Sequence, residues 1–573
     1  MDSVIDDFNK SLVIDRTNNP GASNLNNPSA QTQVLENTDL LQEIFYCLPT
    51  TLPESRTWNK HLLSISLTCK AFLEPALNVL WEELPPHRWI HLISLISSVS
   101  LQGNRLIAND VLSDQSLHRF DYYAQRIKNI HMTTSAFNAM SFDIASCIIV
   151  SRQFNAFPAL RSLRWTCDVV PTELNASSLV VLASQPLTTL SIQEECDPEP
   201  SNMFFVYSLM TIISIRSPDL THLDLRGEIV ESAANLLPKF ERIKRLSLLA
   251  PYCQDANIIK DILWHTNTLN DLTELDISVL FWMQRPTGMT IELAALKTLG
   301  LYGPLAFIDY FFSVVTAPQV TLLDIIISTY ETRGQSESFR WIDQIAMLAP
   351  SVQYVIASSD LHAMENSDSP HNRHKLPSSL FFGMLACKRL AHINASLVLE
   401  EKDILSLVNS GKQWPLIKEI DLHGEEGRLG VLPCLLSQID LFAEAFPNLK
   451  KLSMAVSFRM EPSEIERMHE RIRGNHPCHK LESLTLRSAV KQLSQEVHAP
   501  EYIERCKEEF GPLTVNESIE KVASQFIDHV FPHLLHFSID EIFYLDEGLR
   551  TALESMVRDR INGARDHICP LAT

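Results

Sequence analysis

The sequence predicts an α/β protein: a small head of three helices, followed by a long, irregular helix-and-strand solenoid with a concave parallel sheet. Three observations predict it. A short apolar phrase recurs through most of the chain, three compact helical stripes precede it, and the composition supplies apolar material for a large core. Of 573 residues, 45% are hydrophobic and 20% are charged. At roughly one domain per 150 residues this length asks for about four domains, unless a repeat lets a single core grow lengthwise.

Residues 1–33 are rich in Asn, Ser and Gln, too polar to offset the entropy of ordering, and are expected to form a disordered arm. The head follows over 34–84. Its first helix carries Leu40, Leu41, Ile44, Phe45 and Leu48, an i, i+1, i+4, i+5, i+8 stripe, with Asn37 or Thr38 as N-cap and Pro49 as terminator. A polar loop over Thr50 to Asn59 leads to a second helix with Leu62, Leu63, Ile65 and Leu67. The third runs through Pro75, Ala76, Leu77, Val79, Leu80 and Trp81, with Pro75 suited to a first turn. A helical linker is expected over 85–118.

Beyond it, apolar residues recur at relative positions 1, 4 and 6. Examples are Ile127-Ile130-Met132, Leu160-Leu163-Trp165, Leu220-Leu223-Leu225, Leu272-Leu275-Ile277, Leu449-Leu452-Met454 and Leu534-Phe537-Ile539. There are fourteen copies, and the steps from Ile127 to Leu481 run from 23 to 38 residues with a mean of 29.5. Positions 4 and 6 alternate as in a strand, and helical stripes such as Ile404-Leu405-Leu407-Val408 precede several copies. One unit cannot bury its apolar face alone, whereas stacked units share one core. The expectation is a leucine-rich-repeat-like solenoid over 119–545, interrupted by a helical insertion at about 487–530 and closed by a helical cap over 546–573.

Composition also excludes. The formal net charge is −21, from 48 Lys and Arg against 69 Asp and Glu, so a phosphate backbone is a poor partner and no nucleic acid is expected. No apolar run reaches the roughly 20 residues that span a bilayer, so no membrane partner is expected. Eleven cysteines without paired spacing, behind an acidic N-terminus with no signal-peptide core, point to a reducing compartment, cytoplasmic or nuclear. With 16 glycines and no phosphate-loop or nucleophile-elbow motif, nothing suggests catalysis or a cofactor. His371 with His374, and His476 with Cys478 and His479, lack the second half of a zinc site, so no metal is expected.

The head has a more specific reading. Asp39-Leu40-Leu41-Gln42-Glu43-Ile44-Phe45-Tyr46-Cys47-Leu48-Pro49, then Leu67-Thr68-Cys69-Lys70-Ala71-Phe72, then Leu80-Trp81, resembles an F-box. With Arg119-Phe120-Asp121-Tyr122-Tyr123-Ala124 ahead of the first phrase, the chain is similar to the F-box and leucine-rich-repeat proteins of mushroom-forming fungi. Glu36-Asn37 stand where that family has Leu-Pro, and the first interhelical loop is longer than usual. The resemblance implies a non-catalytic substrate receptor of an SCF-type ubiquitin ligase. Its F-box would contact a Skp-type adaptor, and through it cullin and RING subunits, while the repeats hold an unidentified protein substrate. Carried over by position, the adaptor-facing residues would be Leu40, Leu41, Ile44, Phe45, Leu48, Leu67, Cys69, Lys70, Phe72, Leu80 and Trp81. A protein-binding repeat scaffold that recruits no ligase is the other expectation.

Residues flanking position 6 point away from the core. On that face Asp224, Asp276, Asp324 and Asp421 share one register and would form an acidic stripe for a basic ligand if adjacent strands align. Arg226, Tyr302, His423 and Arg487 are the further substrate-facing candidates.

Overall fold

A computed structural model of the chain describes residues 30–47, 55–103, 105–110, 112–153, 155–169, 177–183, 186–195, 200–250, 256–280, 290–328, 340–360, 378–397, 399, 401–409, 414–422, 434–456, 462–474, 479–488, 517–540 and 555. It divides into two units, Met1–Glu83 and Leu84–Thr573.

The first unit contains helices α1 (Ala30–Glu36), α2 (Thr38–Cys47), α3 (Ser55–Ser66) and α4 (Lys70–Glu82). Asn37 is the N-cap of α2: its Oδ1 accepts the Leu40 N–H at 3.0 Å. Helix α1 takes in the last four residues assigned to the arm, while residues 1–29, Leu48 and Pro49 lie outside the described residues. Two boundaries differ from expectation. Helix α3 begins at Ser55, inside the stretch read as a polar loop. Pro75 sits in the interior of α4, not in its first turn, because the extended backbone of Cys69 (φ −156°, ψ 161°) starts the helix at Lys70.

Leu41, Phe45, Leu62 and Ala76 form the core of this unit, with Ile65, Ala71, Phe72, Val79 and Leu80 packed against it. Phe45 meets Phe72 edge to face, with ring centroids 5.7 Å apart.

The second unit opens with helix Pro86–Ser94, an antiparallel hairpin of Val99–Gln102 with Arg105–Ala108, and helix Asp114–Ala124. The hairpin corrects the expectation of a purely helical linker. Gly103, just past the first strand, adopts φ +63°, a left-handed conformation that glycine takes without strain.

Each of the fourteen phrases becomes a strand: β1 (Asn129–Thr133), β2 (Ser162–Cys167), β3 (Thr189–Glu194), β4 (His222–Arg226), β5 (Arg245–Ala250), β6 (Glu274–Val279) and β7 (Thr298–Pro304). The series continues as β8 (Leu322–Ser328), β9 (Tyr354–Asp360), β10 (His392–Ala395), β11 (Glu419–Leu422), β12 (Lys451–Val456), β13 (Ser483–Ser488) and β14 (His536–Asp540). These strands pair in parallel in chain order within one sheet. The fold is therefore α/β with a large parallel sheet. Helices such as Pro200–Arg216, Ala256–Thr266, Leu305–Val314 and Glu401–Asn409 supply the crossovers that parallel neighbours require.

The phrase works as one device. In thirteen copies the residues at positions 1, 4 and 6 are all buried, each apolar side chain contributing on the order of 1.5–3 kcal/mol. In β14, the last strand of the sheet, Leu534 is buried but Phe537 only half-buried. Position 2 adds stitching. The hydroxyls of Thr188, Thr221, Thr273 and Thr321 each donate to the carbonyl of the matching residue one repeat earlier, at 3.1–3.3 Å.

The motif around Asp121 is structural. Arg152 forks onto both Asp121 oxygens at 2.8 and 2.6 Å and reaches Asp114 at 2.6 Å, and the hydrogen bond to Asp121 raises its pKa. Helix Glu517–Val530 leads directly into β14. The rest of the expected insertion beyond 488, and the C-terminal cap apart from Ser555, lie outside the described residues. No helix among the described residues is long and apolar enough to cross a membrane.

Candidate functional site

The stripe on α2 splits into two faces. Leu41 and Phe45 are 3% and 4% exposed and hold the head together, whereas Leu40 and Ile44 are 41% and 42% exposed. One helical turn separates each pair from its own i+4 partner, and 100° separates the two pairs, so each forms a coherent face. This corrects the reading of all these residues as outward-facing. Leu41 and Phe45 are core, and Phe72 and Leu80 pack against them partly buried. Leu67, Cys69 and Trp81 are half-buried, Lys70 is exposed and Leu48 lies outside the described residues. Among the described residues of the set, Leu40 and Ile44 are the exposed large apolar side chains.

The open face of the sheet is the second site. Cross-strand partners place Ser191, Asp224, Ser247, Asp276, Gly300, Asp324, Ile356, Asn394, Asp421, Ser453, Thr485 and Ser538 in one row. The four aspartates thus do share a register, but the row is not a continuous acidic stripe. Ile356 and Asn394 separate Asp324 from Asp421. Asp224 is engaged, taking the Ser191 hydroxyl at 3.1 Å and the Arg226 Nε–H at 3.2 Å.

What remains is a pair, Asp276 and Asp324, on strands β6 and β8 with Gly300 of β7 between them. The small residue is a requirement: a Cβ at position 300 would stand 2.3 Å from Asp276 Oδ1. Burial pushes the Asp276 carboxyl above its usual range against the pull of Arg245, with Glu274 and Asp224 adding to the rise. Burial likewise raises Asp324, and Asp276 adds to it. Asp324 Oδ1 is buried without a hydrogen-bond partner. Arg245 lies 3.5 Å from Glu274 and 3.9 Å from Asp276.

The next outward row runs Arg226, Leu249, Ser278, Tyr302, Ile326. Together the rows enclose a groove of about 500 Å³ with Gly300 as its floor, Asp276 and Asp324 along one side, and Leu249, Tyr302 and Ile326 along the other. Tyr302, Asp276, Asp324 and Arg226 thus meet at one place, while Asp421 stands apart. Arg487 lies in β13, where its backbone pairs with Ala455 and Asp540, and His423 lies outside the described residues.

Sequence reasoning missed two features. One is the role of Gly300, whose only signal was a small residue between two aspartates on the same register. The other is a chain on the row nearer the strand starts. Tyr354 stacks on His392 at 4.2 Å, His392 meets Glu419 at 3.2 Å, and Lys451 meets Glu419 at 2.9 Å. Burial pushes the Glu419 carboxyl up, but Lys451 and His392 outweigh it and hold it below its ordinary value. His479, weighed as a metal ligand, is buried, and its Nε2–H donates to the Phe446 carbonyl at 2.8 Å.

No family model matches the chain, and no curated protein matches it. Among solved structures, a chain of the yeast Rad7 and Elc1 complex is similar at 12% identity and a TM-score of 0.29, covering 74% of this chain and 88% of that one. A protein from Bacteroides fragilis is similar at 13% identity and a TM-score of 0.22, covering 50% and 74%. Likenesses this distant carry no weight for function.

Proposed function

We propose that the chain is an F-box-type substrate receptor of an SCF-type ubiquitin ligase, with the head recruiting a Skp-type adaptor and the repeats holding a protein substrate. The observation that carries this reading is the split of α2. A helix that already gives Leu41 and Phe45 to its own core spends two more large apolar residues, Leu40 and Ile44, on solvent, beyond what a small head needs for itself. The F-box resemblance of the surrounding residues says what would cover them.

The mechanism is positional. By holding a substrate on the sheet while the head is tied to the ligase, the receptor raises the effective concentration of a substrate lysine near a ubiquitin-charged enzyme carried by another subunit. The chain itself forms no covalent bond, and the work belongs in the cytoplasm or nucleus, where the ligase acts.

Co-purification with a Skp-type adaptor tests the proposal. The pair should be recovered with the wild-type chain and lost with Leu40→Asp plus Ile44→Asp. Failure to recover it with the wild type favours the second reading, a repeat scaffold without ligase recruitment. One observation speaks for that reading: where the family has Leu-Pro, Asn37 acts as a helix cap.

A further inference from the structure

The groove over Gly300 is mostly apolar, yet one side of it is built from two carboxylates whose strands lie about 9–10 Å apart, two strand spacings across the sheet. Among the described residues the charge around it does not balance. Asp224, Glu274, Asp276 and Asp324 face two guanidiniums. Arg226 is drawn to Asp224 at 3.2 Å, and Arg245 sits nearer Glu274, at 3.5 Å, than Asp276, at 3.9 Å. The surplus therefore falls on Asp276 and Asp324 beside the groove, and Asp324 Oδ1, itself shut off from water, has no donor. An uncompensated carboxylate in a half-buried place costs free energy that an incoming donor recovers.

We propose that this groove receives one arginine side chain of the protein that the repeats hold. The assignment rests on the reading of the repeats as the substrate-holding part and names the chemistry they select. A guanidinium fits where an ammonium does not. It is flat enough to lie over a glycine floor and offers donors along two edges, toward Asp276 on one side and Asp324 on the other. Its weak hydration and its stacking on aromatic rings suit the wall made by Tyr302, Leu249 and Ile326. Gly300 is the specificity element. Any side chain there would displace the Asp276 carboxylate and fill the floor at once.

The test is selection from a random dodecapeptide phage library on the immobilised full-length chain. Selected peptides should be enriched about tenfold or more in arginine at one aligned position, and N-acetyl-arginine amide, but not the citrulline analogue, should elute them. Asp276→Asn plus Asp324→Asn should abolish the enrichment. So should Gly300→Ala, which keeps both carboxyl groups in the chain but fills the floor and pushes the Asp276 carboxylate aside. Peptides without arginine enrichment, equal enrichment of lysine, elution by both amides, or enrichment that survives these substitutions would each overturn the assignment. The elution experiment needs only the wild-type chain, so a variant that fails to fold does not leave the question open. Adaptor co-purification is independent of this groove, so a negative result in one experiment leaves the other informative.

Discussion

The head and the repeats treat the same kind of sequence signal in opposite ways. In the repeats, positions 1, 4 and 6 of thirteen phrases are all taken inside, and the pattern is fully consumed by the unit's own core. In the head, α2 carries a stripe of similar apolar density, but only Leu41 and Phe45 are consumed while Leu40 and Ile44 stay outside. The lesson concerns surplus. A long stack can match every apolar residue to a neighbouring repeat, whereas a short helical unit has more apolar faces than partners, and the unmatched face is where a second protein is expected.

The comparison can be broken most forcefully from inside. Phe45→Ala should cost the head about 3–5 kcal/mol, a large share of what a unit of that size holds, and amide exchange across 38–82 should accelerate by orders of magnitude. Leu275→Ala in β6 should cost about 2–5 kcal/mol. Because each strand leans on its neighbours, exchange should quicken in β5 and β7 and stay slow in β13. Leu40→Asp with Ile44→Asp should change stability by no more than about 0.5 kcal/mol in thermal or urea unfolding, since neither side chain is part of the core. If that pair proves as damaging as Phe45→Ala, the two faces of α2 are not distinct.

The smallest effect sharpens the view of the groove. Asp324 has a folded pKa above its ordinary 3.8, so between those values the folded chain binds more protons than the unfolded one. Stability is then lost as pH rises through that window and stays lower above it. Asp324→Asn should melt at or above the wild-type temperature at neutral pH, with the gap closing below pH 3.8.

Much of the fold was legible because the phrase encodes strand, spacing and burial together. Ile127 to Leu534 mark fourteen strands whose order in the sheet follows from chain order once neighbours stack in parallel. The split of α2 was not legible. Residues i and i+1 lie only 100° apart, so a run of Leu40-Leu41 and Ile44-Phe45 widens one stripe without saying which half faces home. The alignment of Asp224, Asp276 and Asp324 could be read from their shared position in the phrase, but the groove could not. It depends on which residue of the intervening strand sits between the aspartates, and on how Asp276 leans over it. The Tyr354, His392 and Glu419 chain was missed because it lies at position 3 of the phrase, away from the apolar positions 1, 4 and 6 and the residues flanking position 6.

On the proposed reading, the outward face of α2 recruits and its inward face holds. The most direct measurement is the affinity of a Skp-type adaptor for the full-length chain, by calorimetry, in wild type and in Leu40→Asp with Ile44→Asp, with unfolding followed in parallel. Binding by the wild type should be measurable, and the double variant should lose at least about a hundredfold in affinity at unchanged stability. Equal affinity of the two chains, with both still folded, would contradict the claim.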